Sequence, residues 1–291
     1  MAIKNICFLM GSYPTYENPT NTFVDELITE VANQGIECSV ITPQSISSHL
    51  VHRTPLIDSI RIKSTDKGNK IKIYSPIYLS YSERLIFNFN TLALSQRSYK
   101  RIVLKEYIKR KIHADAFYGH FFNPYGFMAV QMGIKFKKPS FIACGESTLE
   151  GLNRIDKNYL KYILKNVNGI IAVSHKNKME LINMIDYSYE DKIEIFPNAI
   201  NNKKFYKKDK SLMRKQLGFD ENSFIIAFIG HFINRKGSLR LSKALDNIDD
   251  VSSLFIGKGD ENPDCRNILF KGVLPHDDIC TYLNAADVFV L

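Results

Sequence analysis

Short, nearly continuous apolar runs alternate with segments of helical periodicity along the whole chain, and this alternation constrains the fold more than any other feature. Strands that are apolar on both faces are typical of a parallel sheet with helices covering both sides. The sequence therefore predicts an α/β protein built from doubly wound parallel sheets. The predicted strands lie at residues 3–10, 37–42, 116–122, 140–146, 169–175, 192–198, 224–230, 253–257, 268–273 and 287–291.

The regions between these strands predict further elements. Residues 20–33 carry apolar side chains at helical spacing and predict an amphipathic helix. A longer helix is predicted over residues 83–112, and another over residues 277–285. Residues 71–79 predict one more strand, and the polar stretch 43–70 predicts an irregular loop that contains a short strand.

The alternation is interrupted once, at a basic stretch without an aliphatic stripe, NNKKFYKKDKS. A chain of 291 residues is long enough for about two domains of roughly 100–200 residues each. We therefore expect an N-terminal domain over 1–200, a linker over 201–222 and a C-terminal domain over 223–291. The last domain is expected to be partial, because the sequence stops at the end of a predicted strand, where ligand loops follow in such sheets.

The cysteines and the N-terminus indicate the compartment. The five cysteines are odd in number and widely spaced, and none forms a CxxC pair. Such cysteines are typical of reduced, buried thiols in a cytoplasmic protein. The first residues lack the long apolar region and the cleavage site of a signal peptide.

Several classes of site are disfavoured by missing motifs. The sequence contains no D-x-D, and no two histidines have the spacing of metal ligands. We therefore predict no metal site and no cofactor. No G-x-S-x-G elbow is present, and no nucleic-acid-binding module is recognisable.

A net charge of +9 makes anionic partners plausible: nucleic acid, a membrane surface or phosphorylated small molecules. Residues 97–111, RSYKRIVLKEYIKRK, form a basic helical segment with interleaved apolar residues. This helix could lie on the anionic inner face of the cell membrane as a peripheral contact. It could equally pack its apolar stripe on the sheet and expose its lysines to water, which is the alternative that we favour.

The stretch FIGHFINRKGSLRLSKAL predicts a strand, a tight turn and a helix, with positive charge at the turn. Gly230 ends the strand, and Arg235 and Lys236 precede Gly237. A helix N-terminus offers free N–H groups and a positive dipole, which favour a phosphate or a diphosphate. The alternative is an ordinary βα turn that happens to be basic. The order of residues differs from the P-loop motif G-x-x-x-x-G-K-[ST].

A second glycine-rich turn, IGKGDE, follows the next strand and contains Gly257 and Gly259. Two turns of this kind after adjacent strands favour a phosphate site more than either turn alone.

Polar side chains also end two predicted strands of the N-terminal half. His120 ends one strand and Glu146 follows the next. Because ligands of parallel sheets bind beyond the carboxyl ends of the strands, these side chains could bind sugar hydroxyls or transfer a proton. The alternative is that each merely caps its strand. His175 has the same position, but it is expected to begin a helix.

Taken together, these motifs resemble the retaining glycosyltransferases of family 4, which have the GT-B architecture of two Rossmann-like domains. The resemblance covers essentially the whole chain. It is most specific in the C-terminal third, in the motifs AVSH, IEIFPNAINNKKF, FIGHFINRKG, IGKGDE and ILFKGVLPHDDICTYLNAADVFVL. By this resemblance the fold is GT-B-like, with the second domain incomplete because the family's Glu-x7-Glu element would follow Leu291.

The resemblance implies roles for individual residues of the second half. Gly230, His231, Arg235, Lys236 and Gly237 would bind the diphosphate of a nucleotide-sugar donor. Lys236 matches the family's lysine, whereas His231 stands where the family usually has arginine.

Other residues would lie near the nucleotide or the reacting sugar. Those near the nucleotide are Gly257, Gly259, Val273, Leu274 and His276. His120 matches the family's histidine near the sugar and the acceptor, and Glu146 is its expected catalytic partner. Cys144 replaces a histidine of the family's His-Gly-x-Asp/Glu element.

The predicted function is transfer of a sugar, with retention and without metal, to a glycan or lipid-linked acceptor of surface polysaccharide synthesis. Nucleic acid is not an expected partner. Two alternatives remain at this point. One is a nucleotide-sugar epimerase of the same architecture, and the other is an inactive fragment of a glycosyltransferase.

Overall fold

We analysed a computed structural model of the chain. It describes residues 2–15, 20–52, 55–81, 85–86, 89–146, 149–185 and 187–291. The chain divides into two compact units, Met1–Ala199 and Ile200–Leu291, each of which is described by itself. None of the described helices has the length and apolar character needed to cross a membrane.

The first unit is built around a large sheet with helices on both sides. Its strands are β1 (Asn5–Leu9), β2 (Glu37–Ile41), β3 (Gln44–Ser45), β4 (Ile60–Ser64), β5 (Lys70–Tyr74), β6 (Ile77–Tyr78), β7 (Leu85–Ile86), β8 (Phe89–Asn90), β9 (Ala116–His120), β10 (Ser140–Cys144), β11 (Gly169–Ala172) and β12 (Ile193–Ile195). Its α-helices are α1 (Thr22–Asn33), α2 (Ile46–His52), α3 (Thr91–Lys109), α4 (Phe127–Phe136), α5 (Lys157–Asn166) and α6 (His175–Ile185). A wide helical turn, Phe122–Gly126, separates β9 from α4 and is called the 122–126 turn below.

The strands of the large sheet follow the order β12-β11-β10-β9-β1-β2-β5-β4. All neighbours are parallel except β4 and β5, which are antiparallel. The strand order reverses between β1 and β9. This is a topological switch point, and ligands of open α/β sheets bind beyond the strand ends at such a point. The predicted α/β fold class is confirmed.

The apolar pattern explains why these strands are central. All five residues of β9 are buried, because helices cover both faces of the sheet. On one side, α1 buries Val24, Ile28 and Ala32, which recur at helical spacing. The other side is closed by α3 and α4, whose apolar residues pack around Phe117.

The second unit has a smaller parallel sheet. Its strands are β13 (Phe224–Ile229), β14 (Val251–Ile256), β15 (Ile268–Gly272) and β16 (Val288–Val290), and its helices are α7 (Lys210–Leu217), α8 (Ser238–Leu245) and α9 (Ile279–Ala285). The strand order is β15-β14-β13-β16, with every neighbouring pair parallel. The strand order reverses at β13, so its carboxyl end is the switch point of this unit.

The segment 201–222, expected to be a linker, contains α7 in the structure. Asp209 caps this helix, because its side chain accepts a hydrogen bond from the N–H of Leu212. The buried Arg214 holds the helix in the second unit: its Nε donates to the carbonyl of Ala285 at 2.9 Å and its Nη2 to Asp287 at 2.6 Å. The basic stretch 201–211 therefore leads into a helix that is held by these polar contacts and by the buried Met213.

Three predicted elements differ from the structure. The strand predicted over 71–79 is divided into β5 and β6 around Pro76, which has no N–H to donate to a sheet. The helix predicted over 83–112 begins only at Thr91, after β7 and β8, while residues 83–84 and 87–88 lie outside the described residues. The region 43–70, predicted as an irregular loop with a short strand, contains the strands β3 and β4 and also the helix α2.

Candidate active site

His120 lies at the switch point of the first unit, as the last residue of β9. Its side chain is buried, and Nδ1 lies 3.3 Å from the hydroxyl of Tyr118. The rings of Phe23 and Phe121 contact the imidazole edge to face, with centroid distances of 5.3 and 4.6 Å. Burial lowers the pKa of His120 to about 4, so the imidazole is neutral near pH 7.

The other imidazole nitrogen has no partner. Nε2 of His120 is buried and forms no hydrogen bond with any described residue. Buried polar atoms are normally paired, so an unpaired one calls for an explanation such as a ligand. This nitrogen is available to a hydroxyl group of a bound sugar.

Glu146 follows β10 and is held by the main chain of the 122–126 turn. Its Oε1 accepts a short hydrogen bond from the N–H of Phe122. Its Oε2 is buried and unpaired within the described part of the chain. Burial raises the pKa of Glu146, although the hydrogen bond from Phe122 acts in the opposite direction. A buried carboxyl group with a raised pKa suits proton transfer.

The structure brings His120 and Glu146 to the same place. In the sheet, His120 is in register with Ala143 of β10, and the N–H of Phe121 donates to the carbonyl of Ala143 at 2.9 Å. A Cβ built at Gly145 would lie only 3.8 Å from Nε2 of His120. The two unpaired polar atoms therefore belong to neighbouring strand ends at the switch point.

Cys144 is the last residue of β10 and is fully buried. Two effects raise the pKa of its thiol: burial is the larger, and the negative charge of Glu146 is the next. The thiol is therefore protonated at neutral pH, and it is neither a nucleophile nor a cation there.

The two glycine-rich turns of the second unit touch each other. Beyond the ends of β13 and β14, the pairing continues: the N–H of Gly230 donates to Ile256 and the N–H of Phe232 donates to Lys258, both at 2.9 Å. A Cβ added to Gly257 would lie 1.9 Å from the carbonyl oxygen of Gly230. Only glycine permits this close approach, and the two turns consequently form one backbone platform.

The basic residues lie beside this platform. His231 and Arg235 are exposed and Lys236 is half-buried. Within the part of the chain that the structure describes, the side chains of Arg235 and Lys236 form no ion pair. Gly237 has a φ of 82° and leads into α8, where Ser238 donates to Glu261 at 3.0 Å. The arrangement leaves two cations available to an anion at the start of a helix.

The third strand end lies next to these turns. The N–H of Gly257 donates to the carbonyl of Gly272, the last residue of β15, at 2.7 Å. Val273, which follows, is 56 % exposed. His276 contacts the ring of Phe205 at 5.3 Å between centroids. The residues predicted to lie near the nucleotide therefore stand at the same edge of the sheet as the two turns, and their role stays a prediction.

The family model described as Glycosyltransferase Family 4 matches residues 20–204 of the chain. This match covers more than half of the sequence. The chain belongs to glycosyltransferase family 4. The resemblance to this family is thereby confirmed over residues 20–204, and the chain is a glycosyltransferase by family.

Curated relatives of this family 4 chain are glycosyltransferases. This chain is 24% identical over 299 residues to TuaC of Bacillus subtilis, a glycosyltransferase that is named for teichuronic acid biosynthesis. That match covers 98% of this chain and 74% of TuaC. The chain is also 31% identical over 113 residues to a GDP-mannose-dependent phosphatidylinositol monomannoside mannosyltransferase of Corynebacterium glutamicum, covering 34% of this chain and 30% of that enzyme.

Solved structures confirm the GT-B-like fold. Sucrose-phosphate synthase of Thermosynechococcus elongatus matches with a TM-score of 0.69 at 15% identity, over 98% of this chain and 74% of that one. HepE of Anabaena in complex with UDP matches with a TM-score of 0.62 at 14% identity, over 98% and 73%. A UDP-N-acetylglucosamine 2-epimerase from Listeria monocytogenes matches with a TM-score of 0.56 at 12% identity, over 99% of this chain and 74% of that one. The epimerase alternative therefore shares the fold, but the family match favours transfer.

Several contacts of the candidate site were not predicted from the sequence. Tyr118 could have been found, because residues two apart on a strand share a face, and it therefore lies beside His120. Phe23 comes from α1, far away in the sequence. The hydrogen bond that holds Glu146 comes from a main-chain N–H. Every residue except proline would provide this N–H at position 122, so no sequence signal identifies it.

Proposed function

We propose that this family 4 glycosyltransferase moves a sugar from a nucleotide-sugar donor to a glycan or lipid-linked acceptor, with retention and without a metal ion. The observation that carries the proposal is the platform of Gly230 and Gly257 with the unpaired cations Arg235 and Lys236 beside it. Support comes from similar structures, among them HepE of Anabaena bound to UDP and to UDP-glucose.

The donor diphosphate would bind at the second unit. Close approach of a diphosphate needs a bare backbone, and the glycine turns supply one. Lys236, Arg235 and the start of α8 would then stabilise the negative charge that grows on the leaving diphosphate. His231, at the position where the family usually has arginine, would contribute a hydrogen bond in place of a permanent charge.

The acceptor side would use the switch point of the first unit. Neutral His120 can accept a hydrogen bond from a sugar hydroxyl through Nε2, or donate one, according to its tautomer. Glu146, with its unpaired Oε2 and raised pKa, can exchange a proton with the same hydroxyl. Both groups are preorganised, because Tyr118 and the N–H of Phe122 hold their other atoms.

We also propose a peripheral contact with an anionic membrane. Five exposed cations stand on α3: Arg97, Lys100, Arg101, Lys105 and Lys109. Residues 80 and 81 form hydrogen bonds with both α2 and α3. The N–H of Tyr81 donates to Ser95 on α3 at 2.7 Å, and the hydroxyl of Ser47 on α2 donates to the carbonyl of Ser80. On α2, Leu50 and Val51 are 71 % and 72 % exposed. Exposed apolar residues near a basic helix are typical of a membrane surface.

A transfer assay tests the proposal. The protein is incubated with membranes from its own cells and with nucleotide sugars labelled in the sugar, UDP-glucose among them. The proposal predicts that label moves into a glycan or glycolipid fraction. It also predicts that Lys236→Ala lowers the rate about tenfold or more, since it removes a charge-assisted contact to the diphosphate.

The matched control is Lys243→Ala, which removes an exposed lysine from α8, the helix that follows Lys236. This variant should keep the wild-type rate. Release of a sugar epimer on the nucleotide, without any labelled glycan, would contradict transfer and favour the epimerase alternative. Nuclear magnetic resonance of the product gives the anomeric configuration and tests retention.

A further inference from the structure

The backbone is strained at Phe121, between β9 and the 122–126 turn. This residue has a φ of 70° and a ψ of 151°. Asn21 and Lys137 also have a positive φ, but their ψ values of 30° and 48° place them in the left-handed helical region. The combination at Phe121 is essentially restricted to glycine, because a side chain clashes there with the neighbouring peptide groups. A phenylalanine therefore stands where the backbone favours glycine.

The surroundings hold Phe121 in this conformation. Its N–H donates to the carbonyl of Ala143, and its own carbonyl accepts from the N–H of Gly126, both at 2.9 Å. Gly119 on β9 lets the turn lie directly against the strand, since a Cβ there would be 2.4 Å from the Cα of Gly126. A Cβ at Gly126 would lie 2.8 Å from the carbonyl oxygen of Phe121. Strained residues persist only where surrounding contacts fix them in this way, and they cluster at functional sites.

The direction of the chain after Phe121 decides which group meets Glu146. A continuing strand would carry the next residues along the line of β9, at about 3.3 Å per residue. The positive φ of Phe121 turns the chain off that line, and the N–H of Phe122 then donates to Oε1 of Glu146. The side chain of Phe122 is buried beside Phe127, which fixes this peptide from the other side. The hydrogen bond that holds Glu146 thus depends on the backbone at position 121.

The ring of Phe121 has a separate role, because glycine would satisfy the backbone better. The ring is half-buried and contacts the imidazole of His120 edge to face, at 4.6 Å between centroids. It also reaches the carboxyl end of β10: a Cβ built at Gly145 would lie 3.6 Å from Cε1 of Phe121 and 3.7 Å from Val173. The ring thus fills space beside His120 that would otherwise be open to water. Water at this place would stabilise the charged form of the imidazole.

We propose that Phe121 is a positioning residue of the candidate active site, an inference that rests on the proposed transferase function. Its strained backbone directs the N–H of Phe122 to Glu146, and its ring keeps water away from His120. The fold is less stable for it, since glycine would relieve the strain. One residue thereby sets the surroundings of both groups that the proposed reaction uses in the first unit.

Two substitutions that both remove the ring measure the strain. Phe121→Ala retains a Cβ in the unfavourable conformation, whereas Phe121→Gly does not. Alanine is normally the more stabilising of the two, because glycine loses more backbone entropy on folding. At position 121 we expect the reverse, with the unfolding midpoint of Phe121→Gly at least about 2 °C above that of Phe121→Ala. An alanine variant of equal or greater stability would show an unstrained backbone and overturn the proposal.

The matched control is the same pair of substitutions at Phe136. This half-buried ring lies at the end of α4 in the same unit, where it packs on Tyr107 and Phe117. Its backbone is helical, so Phe136→Ala should be more stable than Phe136→Gly. Opposite orders at the two phenylalanines separate backbone strain from the loss of a ring. The same order at both positions would contradict a strain specific to Phe121.

Nuclear magnetic resonance titration of His120 tests the shielding by the ring, and a loss of stability alone would not move this readout. In the wild type, burial lowers the pKa of His120 to about 4. Phe121→Ala and Phe121→Gly should move this pKa toward the ordinary value of 6.5, because water reaches the imidazole. Phe136→Ala should leave it near 4.

The other titratable groups described at this site do not change in these variants. They are Tyr118 on β9 and Cys144 and Glu146 at the end of β10. A change in the His120 titration therefore reports the missing ring. A pKa that stays near 4 in Phe121→Ala would show that the ring does not exclude water, and it would overturn the proposal.

The transfer rate and the UDP affinity keep this proposal apart from the proposed function. Both Phe121 variants should lower kcat on the order of tenfold or more, because misplaced groups react slowly. Their UDP affinity should be unchanged, since the proposed donor platform lies in the second unit. A wild-type kcat in Phe121→Ala would overturn the proposal. If the wild-type protein transfers no sugar, the proposed function fails, while the unfolding midpoints and the His120 titration still decide whether Phe121 is strained and shields His120.

Discussion

At the scale of single residues, burial determines the chemistry of His120. Its imidazole lies against Phe23, Phe121 and Tyr118 and cannot be hydrated when it is charged. At pH 7 the neutral imidazole can accept a hydrogen bond from a sugar hydroxyl group or donate one, according to its tautomer. The same burial makes the residue sensitive to acid.

We expect the ring of His120 to titrate near pH 4, well below the ordinary value of 6.5. Nuclear magnetic resonance titration of the histidine rings checks this, with His120→Gln identifying the signal among the seven histidines of the chain. A His120 signal that titrates between pH 6 and 7 would show that the side chain is hydrated and would contradict the buried geometry.

The lowered pKa of His120 makes the folded protein less stable in acid. The unfolded chain takes up a proton on this residue near pH 6.5, while the folded chain does so only near pH 4. Stability is therefore fully present above pH 6.5 and falls as the pH drops through this window. With about 1.4 kcal/mol per pKa unit, the loss is about 3 kcal/mol, and His120→Gln should abolish it.

For Glu146 we predict that replacement by glutamine lowers the transfer rate and leaves the fold intact. Glu146→Gln keeps an oxygen that can accept from the N–H of Phe122, so the fold should be retained. The amide cannot exchange a proton, so the transfer rate should fall on the order of 100-fold or more. Rates and unfolding temperatures are compared with Glu30→Gln, an exposed control on α1. A fully active Glu146→Gln would exclude the proton-transfer role.

The sequence could predict which residues end the strands, but not what surrounds them. His120 and Glu146 follow apolar runs, and parallel strands bring their ends to one edge. The contact of Phe23 with His120 depends on the packing of α1 over the sheet, and the unpaired Oε2 of Glu146 depends on the path of the 122–126 turn. Such contacts depend on tertiary packing, which local patterns do not encode.

At the scale of elements, the platform of Gly230 and Gly257 depends on the close contact of two turns. Gly257 approaches the carbonyl of Gly230 more closely than any side chain would allow. The sequence indicated both turns, since each follows a strand and contains glycine. It did not indicate that the turns touch, because this follows from the parallel register of β13 and β14.

We predict that Gly257→Ala separates the two turns. The added Cβ would lie 1.9 Å from the carbonyl oxygen of Gly230, so the backbone must shift. Overpacking of this kind costs about 1–3 kcal/mol, and UDP binding should weaken with it. The control is Gly151→Ala, which meets no atom within 4 Å. Urea unfolding and UDP titration measure both effects, and wild-type behaviour of Gly257→Ala would contradict the platform.

The segment around α7 shows where composition misleads. The lysines of residues 201–211 and the missing aliphatic stripe there predict a linker over 201–222, yet Arg214 in that span donates to Ala285 and to Asp287. Asp287 is half of the Ala-Asp motif that precedes β16, and its carboxylate also accepts the N–H of Ile225 at 2.8 Å. Burial acts to raise the pKa of Asp287, but hydrogen bonds from Lys210, Ile225 and Arg214 outweigh it and lower the pKa.

At the scale of the whole molecule, the repeated alternation of apolar runs and helices determines the architecture. Each unit is built on a sheet that is parallel apart from the edge strand β4, with a switch point between β1 and β9 in the first unit and at β13 in the second. The alternation allowed the fold class to be predicted, because parallel strands joined by helices have few topologies.

The positive charge of the whole chain gives a prediction for membranes. With a net charge of +9 and the exposed cations of α3, the protein should bind phosphatidylglycerol vesicles more strongly than phosphatidylcholine vesicles. Binding should fall as salt rises from about 0.1 M to about 1 M, because the Debye length falls from ~10 Å to ~3 Å. Co-sedimentation measures this, and equal binding to both vesicles would contradict a peripheral electrostatic contact.

The central claim, that the turn after β13 holds the donor diphosphate, is tested most directly by the affinity for UDP. We would titrate UDP into the wild type, Lys236→Ala and Lys243→Ala by calorimetry. A lost hydrogen bond from a charged group costs about 1.5–3 kcal/mol, so Lys236→Ala should bind UDP roughly 10–100 times more weakly while Lys243→Ala is unchanged. Equal affinities in all three proteins would contradict the claim and place the donor elsewhere.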